Sequence, residues 1–244
     1  MAITKLSQID KQYIQGRIQS LVSKKVYYNE AQLQFDLAWK IRQDITGDCL
    51  EVRLEELTAT GIHCTKGKSK NISWYTDIII LDNKTKEFIP IELKYKTKEE
   101  KGIALKNHKA YDLGCYDFLW DTKRNEILQL SSRVLMKLNN NETKEIKKIN
   151  NLGKQIKGFS IIVTNDSDYW KAKQGSKSSA KNFFLDSGRI IPRSVALQWG
   201  TSAKFYKDTW RDMDLMFNND YQCNWFIINN QAFNEIKGLI FETK

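Results

Sequence analysis

The chain predicts an α/β fold, and three observations in its 244 residues carry that expectation. Apolar residues recur at helical spacing in two segments near the start. Two adjacent runs, residues 74–82 and 88–95, are rich in the β-branched and aromatic residues that strands favour. A further helical stretch then leads to Gly158–Thr164 (Gly-Phe-Ser-Ile-Ile-Val-Thr), which has the apolar character of a buried strand.

Residues 6–26 place Ile9, Tyr13, Ile14, Ile18 and Leu21 along an amphipathic, basic helix. A second helix is expected from Asn29, whose side chain can cap the first turn while Gln32 occupies the capping-box position. Glu30, Leu33, Leu37 and Ile41 fall on one of its faces, which sets an acid at the helix start on the side that packs toward the sheet. Such a glutamate is either a first-turn residue favoured by the helix dipole or a functional group. Residues 48–58 alternate as a half-exposed strand. Residues 61–71 read as a polar loop with His63, Lys66, Lys68 and Lys70, suited to phosphate contact or merely solvated.

Asp77 lies in the run 74–82 and Glu92-Leu93-Lys94 in the run 88–95, and Asp82-Asn83-Lys84-Thr85-Lys86 between them has hairpin-turn chemistry. Residues 104–121 read as a helix with two usable faces, Ala110, Leu113, Asp117 and Trp120 on one and Asp112, Tyr116 and Leu119 on the other. Helical sequence continues through Leu138. The charged, asparagine-rich residues 139–157 are a loop or a solvated helix. After Gly158–Thr164, residues 166–189 interleave Tyr169, Trp170, Phe183 and Phe184 with Lys171, Lys173, Lys177, Lys181 and Arg189. Such a mixture either stacks on bases and tracks phosphates or forms a satellite core beneath a basic surface; we read Phe183 and Phe184 as core. Residues 221–229 are the last strand expected.

Successive strand residues face opposite ways, so Glu92 and Lys94 project together while Ile91, Leu93 and Tyr95 face the other side. Glu-x-Lys also occurs at Glu99, Glu142, Glu145, Glu235 and Glu242, and context separates them. The others stand in polar or terminal stretches, whereas Glu92 and Lys94 interrupt an apolar strand and follow a strand with its own acid. The chemistry that suits this trio is a divalent metal held by Asp77 and Glu92, with Lys94 beside it. The alternative is a strand-edge carboxylate at Asp77 and a solvated ion pair between Glu92 and Lys94.

Hydrophobic residues at 41% and aromatics at 11% are ample for a folded core. A formal net charge of +10 favours polyanions, with nucleic acid the natural partner, although a composition rich in Lys, Asn and Ile contributes to the same balance. Cys49, Cys64, Cys115 and Cys223 form no CxxC pair, and His63-Cys64 lacks a second ligand pair for zinc. No secretory leader is read, so reduced thiols and a cytoplasmic setting are expected. No apolar run reaches the roughly 20 residues that span a bilayer, so no membrane partner is expected. Glycine-rich phosphate loops, nucleophile elbows and zinc-protease helices are also absent from the sequence.

The order helix, strand, strand with Asp77, strand with Glu92 and Lys94, helix, strand resembles the PD-(D/E)xK nuclease superfamily over about residues 29–164. The signature is named for a proline where this chain has Thr76, a position that carries no chemistry. The resemblance implies a restriction-endonuclease-like αβββαβ core with a mixed central sheet flanked by helices, in a single domain with an N-terminal helix and a C-terminal elaboration at 165–244. It implies that Asp77, Glu92 and the Leu93 backbone carbonyl ligate Mg²⁺ or Mn²⁺, that Lys94 is the catalytic lysine, and that Glu30 is the helix-borne glutamate near the metals, either holding a second ion or ordering metal-bound water. The activity implied is phosphodiester hydrolysis, DNA ahead of RNA and endonucleolytic; the rival is an inactive module that binds nucleic acid or protein. Lys66, Lys68, Lys70, Lys171, Lys173 and Lys177 are the candidate nucleic-acid contacts, and residues 165–244 supply either substrate contacts or a homodimer surface. The sequence from Tyr111 to Asp121 with Arg124 and Glu126 resembles a stretch in uncharacterised bacterial members; we read it as packing aromatics with a surface charge network, keeping Tyr116 and His108 as residues behind the site.

Overall fold

The computed structural model describes residues 2–65, 68–98, 111–130, 133–137, 143–148, 152–172, 178–200 and 214–244, with backbone alone at 62–65, 68–70, 72, 133–137 and 143–148. Asp10 sets the first helix: its carboxylate accepts the Tyr13 N–H at 2.7 Å, satisfying a first-turn donor. The chain therefore makes a short 3-10 turn at Leu6–Gln8 and only then α1 (Lys11–Val22), in place of the continuous helix expected over 6–26. α2 (Glu30–Asp44) starts where the sequence places it, with Asn29 Oδ1 accepting the Gln32 N–H at 2.9 Å. Gln32 returns its side chain to the Tyr28 N–H.

β1 (Leu50–Thr65) and β2 (Lys68–Asp82) form one long antiparallel hairpin. The polar loop expected at 61–71 is its far end, where Gly61 pairs with Ile72, His63 with Lys70 and Thr65 with Lys68. Ladder bonds are made by main-chain groups, so polar residues extend a strand wherever a partner runs alongside. β3 (Glu87–Lys96) follows, then α3 (Tyr111–Gln129). The helix expected to run on through Leu138 gives way to β4 (Arg133–Lys137), and the loop or solvated helix expected at 139–157 contains β5 (Thr143–Lys148). Both are drawn into the sheet by the outer half of β1, whose free edge pairs Ala59 with Lys148 and His63 with Lys144.

β6 (Lys154–Gln155) and β7 (Gly158–Thr164) lie parallel to β3. β8 (Ile190–Ile191) and β9 (Tyr221–Gln222) make a small separate ribbon, and β10 (Phe226–Ile228) pairs with β11 (Ile236–Thr243). The strand expected at 221–229 is thus two short ones, broken across Cys223 to Trp225. β11, which the sequence reading missed, lies antiparallel to β7 along its length.

The result is an α/β fold with a mixed central sheet ordered β10-β11-β7-β3-β2-β1-β5-β4, flanked by helices on both faces. On one face α1 and α2 bury Ile14, Ile18, Leu33, Leu37 and Ile41 against Ile78, Ile80, Ile91, Leu93 and Ile161. On the other, α3 buries Phe118, Leu119 and Trp120 with Ile162, Leu239, Phe241 and the C-terminal aromatics. Phe183 and Phe184 are core residues there, as read from the sequence. A Cβ at Gly114 would stand 2.0 Å from the Tyr169 hydroxyl, so α3 can approach this layer only without a side chain at that position. Among the described residues no helix is long and apolar enough to cross a membrane.

Glu126 ties α3 to the C-terminal segment. Its buried carboxylate accepts the Asn218 and Asn219 N–H groups and the Tyr221 hydroxyl, the last at 2.9 Å, and pairs with Lys123 at 3.0 Å. Removing it leaves the buried Tyr221 hydroxyl and the part-buried Asn218 and Asn219 N–H groups without this acceptor, which costs about 2 kcal/mol. Glu126→Ala should lower the urea-unfolding free energy by that order, and an unchanged midpoint would show the segment to be held by its aromatic packing alone.

Candidate functional site

β2 and β3 pair from Asp82 and Glu87 as far as Ile78 and Ile91, and then separate. Beyond that point β3 keeps only β7, from Ile91 opposite Phe159 to Lys96 opposite Thr164. A strand residue directs its N–H and C=O to the same edge and its neighbour directs them to the other. Leu93 and Tyr95 therefore present main-chain groups to the side that β2 has left. Two carboxylates take the donors: Asp77 Oδ2 accepts the Leu93 N–H at 2.7 Å, and Glu30 Oε2 accepts the Tyr95 N–H at 2.8 Å. The Leu93 carbonyl lies 3.4 Å from Lys94 Nζ in the same gap.

Asp77 is irregular on its other flank as well. The β1–β2 ladder pairs Leu54 with Ile78 and Glu56 with Thr76, leaving out Glu55 and Asp77 between them, and Glu55 has φ 50°, in the left-handed region. The faces of β2 exchange between Ile78 and Trp74, a stretch opposite which the ladder also shifts register, between Leu57 and Ala59. Ile78 packs with α1 and α2, whereas Trp74, four residues earlier and so due on the same face, meets Trp120 of α3 edge-on at 5.7 Å. Irregularities of this kind re-aim a side chain at the cost of local pairing. The displaced Asp77 carbonyl accepts a hydrogen bond from the buried Gln34 side chain at 2.7 Å, and the same Gln34 nitrogen donates to Glu55 Oε1 at 2.7 Å.

Glu92 and Lys94 face α3, as strand alternation requires, and α3 answers with charge. Lys94 Nζ stands 2.9 Å from Asp121 Oδ2 and 3.8 Å from Glu30 Oε1. Arg124 pairs with Glu92 Oε1 at 3.1 Å and Asp121 Oδ1 at 3.3 Å, donates to the Tyr75 carbonyl, and lies over the Trp74 ring. Buried Asp121 and part-buried Arg124 thus belong to the cluster and not to the surface charge network expected from the sequence. Their one signal was an acid and a base at i, i+3 beside Trp120, Ile127 and Leu128, which does not say what they face. Gln34 carried a similar one, a polar residue in the stripe of Leu37 and Ile41.

Glu30, Asp77, Glu92 and Asp121 stand against Lys94 and Arg124, four formal negative charges against two positive, an excess of two. Burial pushes the Asp77 carboxyl up to about 7, with Asp121 and Glu30 adding to the rise and Lys94 and the Leu93 N–H opposing it. Burial drives Glu92 well above the carboxylate range, against the pull of Arg124 and with the help of Asp121 and Asp77. Burial alone would lower Lys94; Asp121, Glu30, Asp77 and Glu92 outweigh it, leaving the ammonium harder to deprotonate than an ordinary lysine.

Whether these residues fit a divalent cation follows from that balance. Fully ionised, the cluster carries two more negative than positive charges; without an ion, burial raises the Asp77 and Glu92 carboxyls so that they hold protons instead, and one divalent ion would take the place of those protons. Glu92 Oε1 and Asp121 Oδ2 are buried and make ion pairs without hydrogen-bond alignment, so they retain acceptor capacity. Among the described residues no three His, Cys, Asp or Glu side chains enclose a metal position by themselves. Asp77, Glu92 and the Leu93 carbonyl, the oxygens expected from the sequence to ligate an ion, are a sparse set of the kind suited to an ion such as Mg²⁺ that keeps several waters.

The structure brings Glu30, Asp77, Glu92, Leu93 and Lys94 together. The lysines proposed for nucleic-acid contact are dispersed: Lys68 and Lys70 stand on the far end of β2, and Lys171 is exposed after the turn Ser167–Tyr169. Lys66, Lys173, Lys177 and His108 fall outside the described residues. Tyr116 packs on Phe183 and Trp199 in the aromatic layer. Comparison with known proteins finds no matching family model, no matching curated protein and no matching solved structure.

A pH dependence follows. The fold holds the Asp77 proton up to about pH 7, whereas the ordinary value is 3.8. Between those limits the folded state binds the extra proton, so stability falls as pH rises through the window and the loss is complete above it. Asp77→Asn keeps an acceptor for Leu93 and removes the buried charge. It should stabilise the metal-free protein near about pH 8 by on the order of 2 kcal/mol and have little effect near about pH 4 in urea unfolding. Equal effects at both pH values would mean that Asp77 does not carry the penalty.

Proposed function

We propose that this chain is a divalent-metal-dependent nuclease of the PD-(D/E)xK superfamily, with a restriction-endonuclease-like core, that hydrolyses phosphodiester bonds, most naturally as a cytoplasmic DNA endonuclease. The observation that carries the reading is the parting of β2 and β3, which collects Asp77, Glu92, the Leu93 carbonyl and Lys94 in one gap, where two carboxyls raised by burial would give up their protons to a divalent ion. Asp77, Glu92 and the Leu93 carbonyl would hold Mg²⁺ or Mn²⁺. When bound, the ion supplies Lewis acidity toward the scissile phosphate and a lowered pKa for attacking water.

The other roles belong to the chain. Lys94, kept protonated by the acids around it, has no lone pair to offer near neutrality, so its role is to donate N–H groups to phosphoryl oxygens as charge builds on them. Asp121 holds the ammonium in place at 2.9 Å. Glu30, held by the Tyr95 N–H and facing Lys94, would hold a second ion or orient water beside the first. The net charge of +10 supports a polyanionic substrate, with Lys68, Lys70 and Lys171 as outlying phosphate contacts.

A second reading is supported by Arg124, which already neutralises Glu92 and would do so equally in a module that only binds nucleic acid or a protein. Incubation with labelled duplex, single-stranded and branched DNA and RNA, with Mg²⁺ or Mn²⁺ against EDTA, separates the two. The nuclease reading expects cutting that needs metal and falls at least about a hundredfold in Asp77→Ala and Lys94→Ala. No cutting, with binding equal in all three proteins, would favour the binding module.

A further inference from the structure

We propose that Gln34 and Glu55 form a positioning device that aims Asp77 at the metal, an inference that rests on the nuclease reading. Asp77 is where the β1–β2 ladder skips a pair, within the stretch from Trp74 to Ile78 over which the faces of β2 exchange, so ordinary strand pairing does not fix its main chain. The Gln34 amide nitrogen replaces that constraint: one N–H goes to the Asp77 carbonyl at 2.7 Å and the other to Glu55 Oε1 at 2.7 Å. Both amide protons are then used, which fixes the amide plane as well as its position. Gln34 is 7% exposed and stands in the apolar stripe of α2, a position that packing alone would give to leucine.

Glu55 contributes from the opposite side. A non-glycine residue at φ 50° in the middle of a strand is unfavourable and persists only where its surroundings over-determine it. Its reversed backbone brings its carboxylate to the amide that holds Asp77. Gln34 and Glu55 touch neither substrate nor metal in this scheme. They fix the backbone of Asp77 so that one carboxylate oxygen accepts the Leu93 N–H while the other stays available in the gap. Outer partners of metal-binding carboxylates commonly set affinity in this way.

The test is Mn²⁺ titration of the full chain by electron paramagnetic resonance, for wild type, Gln34→Leu, Glu55→Gly, Asp77→Asn and the Gln34→Leu/Asp77→Asn double variant, with thermal unfolding alongside. Gln34→Leu should weaken Mn²⁺ binding about tenfold or more and lower kcat without raising KM for nucleic acid. The double variant should bind no worse than Asp77→Asn alone, because the effect runs through Asp77. Glu55→Gly, on an exposed position where glycine tolerates the backbone angle, keeps the fold assessable and should show a smaller loss in the same direction. Weaker stability with unchanged Mn²⁺ affinity in both single variants, or additive losses in the double variant, would overturn the device. Failure of the wild type to bind Mn²⁺ at all would overturn the metal reading beneath it.

Discussion

The constraint on which the site depends is the need of two buried main-chain donors for acceptors after a strand has turned away. Once β2 leaves β3 at Ile78, the N–H groups of Leu93 and Tyr95 have no ladder partner, and an unpaired buried N–H is costly. Asp77 and Glu30 take these donors with charged oxygens, making hydrogen bonds stronger than the neutral ones they replace. The acids are therefore held by the sheet itself. That also explains how Glu30, on a helix packed against one face, meets Lys94, which projects from the other: the opening lets a side chain pass the plane of the sheet.

α3 supplies a matched pair of charges. Asp121 and Arg124 enter a cluster that would otherwise hold three acids and one lysine, leaving its formal charge unchanged; Asp121 pairs with Lys94 of β3, and Arg124 bridges the gap from Glu92 of β3 to the Tyr75 carbonyl of β2. Arg124 does so with its guanidinium over Trp74, a residue brought to that face because β2 reverses its alternation between Ile78 and Trp74. One irregular stretch of the β1–β2 hairpin thus flanks an acid of the cluster and places the aromatic platform for the cation that opposes its neighbour. Neither consequence is local in sequence, since Trp74, Arg124 and Gln34 lie on three different elements.

The sequence was legible where a single element carried the information. The apolar interruption around Glu92 and Lys94 showed that both charges share a face, and Asn29 with Gln32 marked the start of α2. Asp77 could be placed beside them because the turn at residues 82–86 sets the register of the hairpin. Asp121, Arg124, Gln34 and Glu55 were not legible as site residues, since their meaning lies in what faces them across layers. β4 and β5 were missed for a related reason: lysine-rich β5 has no strand signature of its own and is a strand because β1 extends far enough to pair with it, and β4 joins the sheet only by pairing with β5. β11 was missed although its residues are apolar, because Gly238 breaks the pattern at a point where a side chain would meet the Phe226 ring.

The position of β11 has a consequence for biosynthesis. Ile161, Ile162 and Val163 of β7 lie beside the strand that carries Glu92 and Lys94, and their outer edge is covered by Leu239, Ile240 and neighbouring residues, which leave the ribosome long after them. Until then the nascent chain displays an apolar strand with open hydrogen-bonding groups, the surface that recruits foreign strands and holding chaperones. The acidic gap can be outlined early, but its supporting strand stays exposed to wrong partners until translation reaches residues 236–243. Ribosome pausing between β7 and β11 would lengthen that exposure, so codon choice in the intervening segment bears on how much protein reaches the folded state.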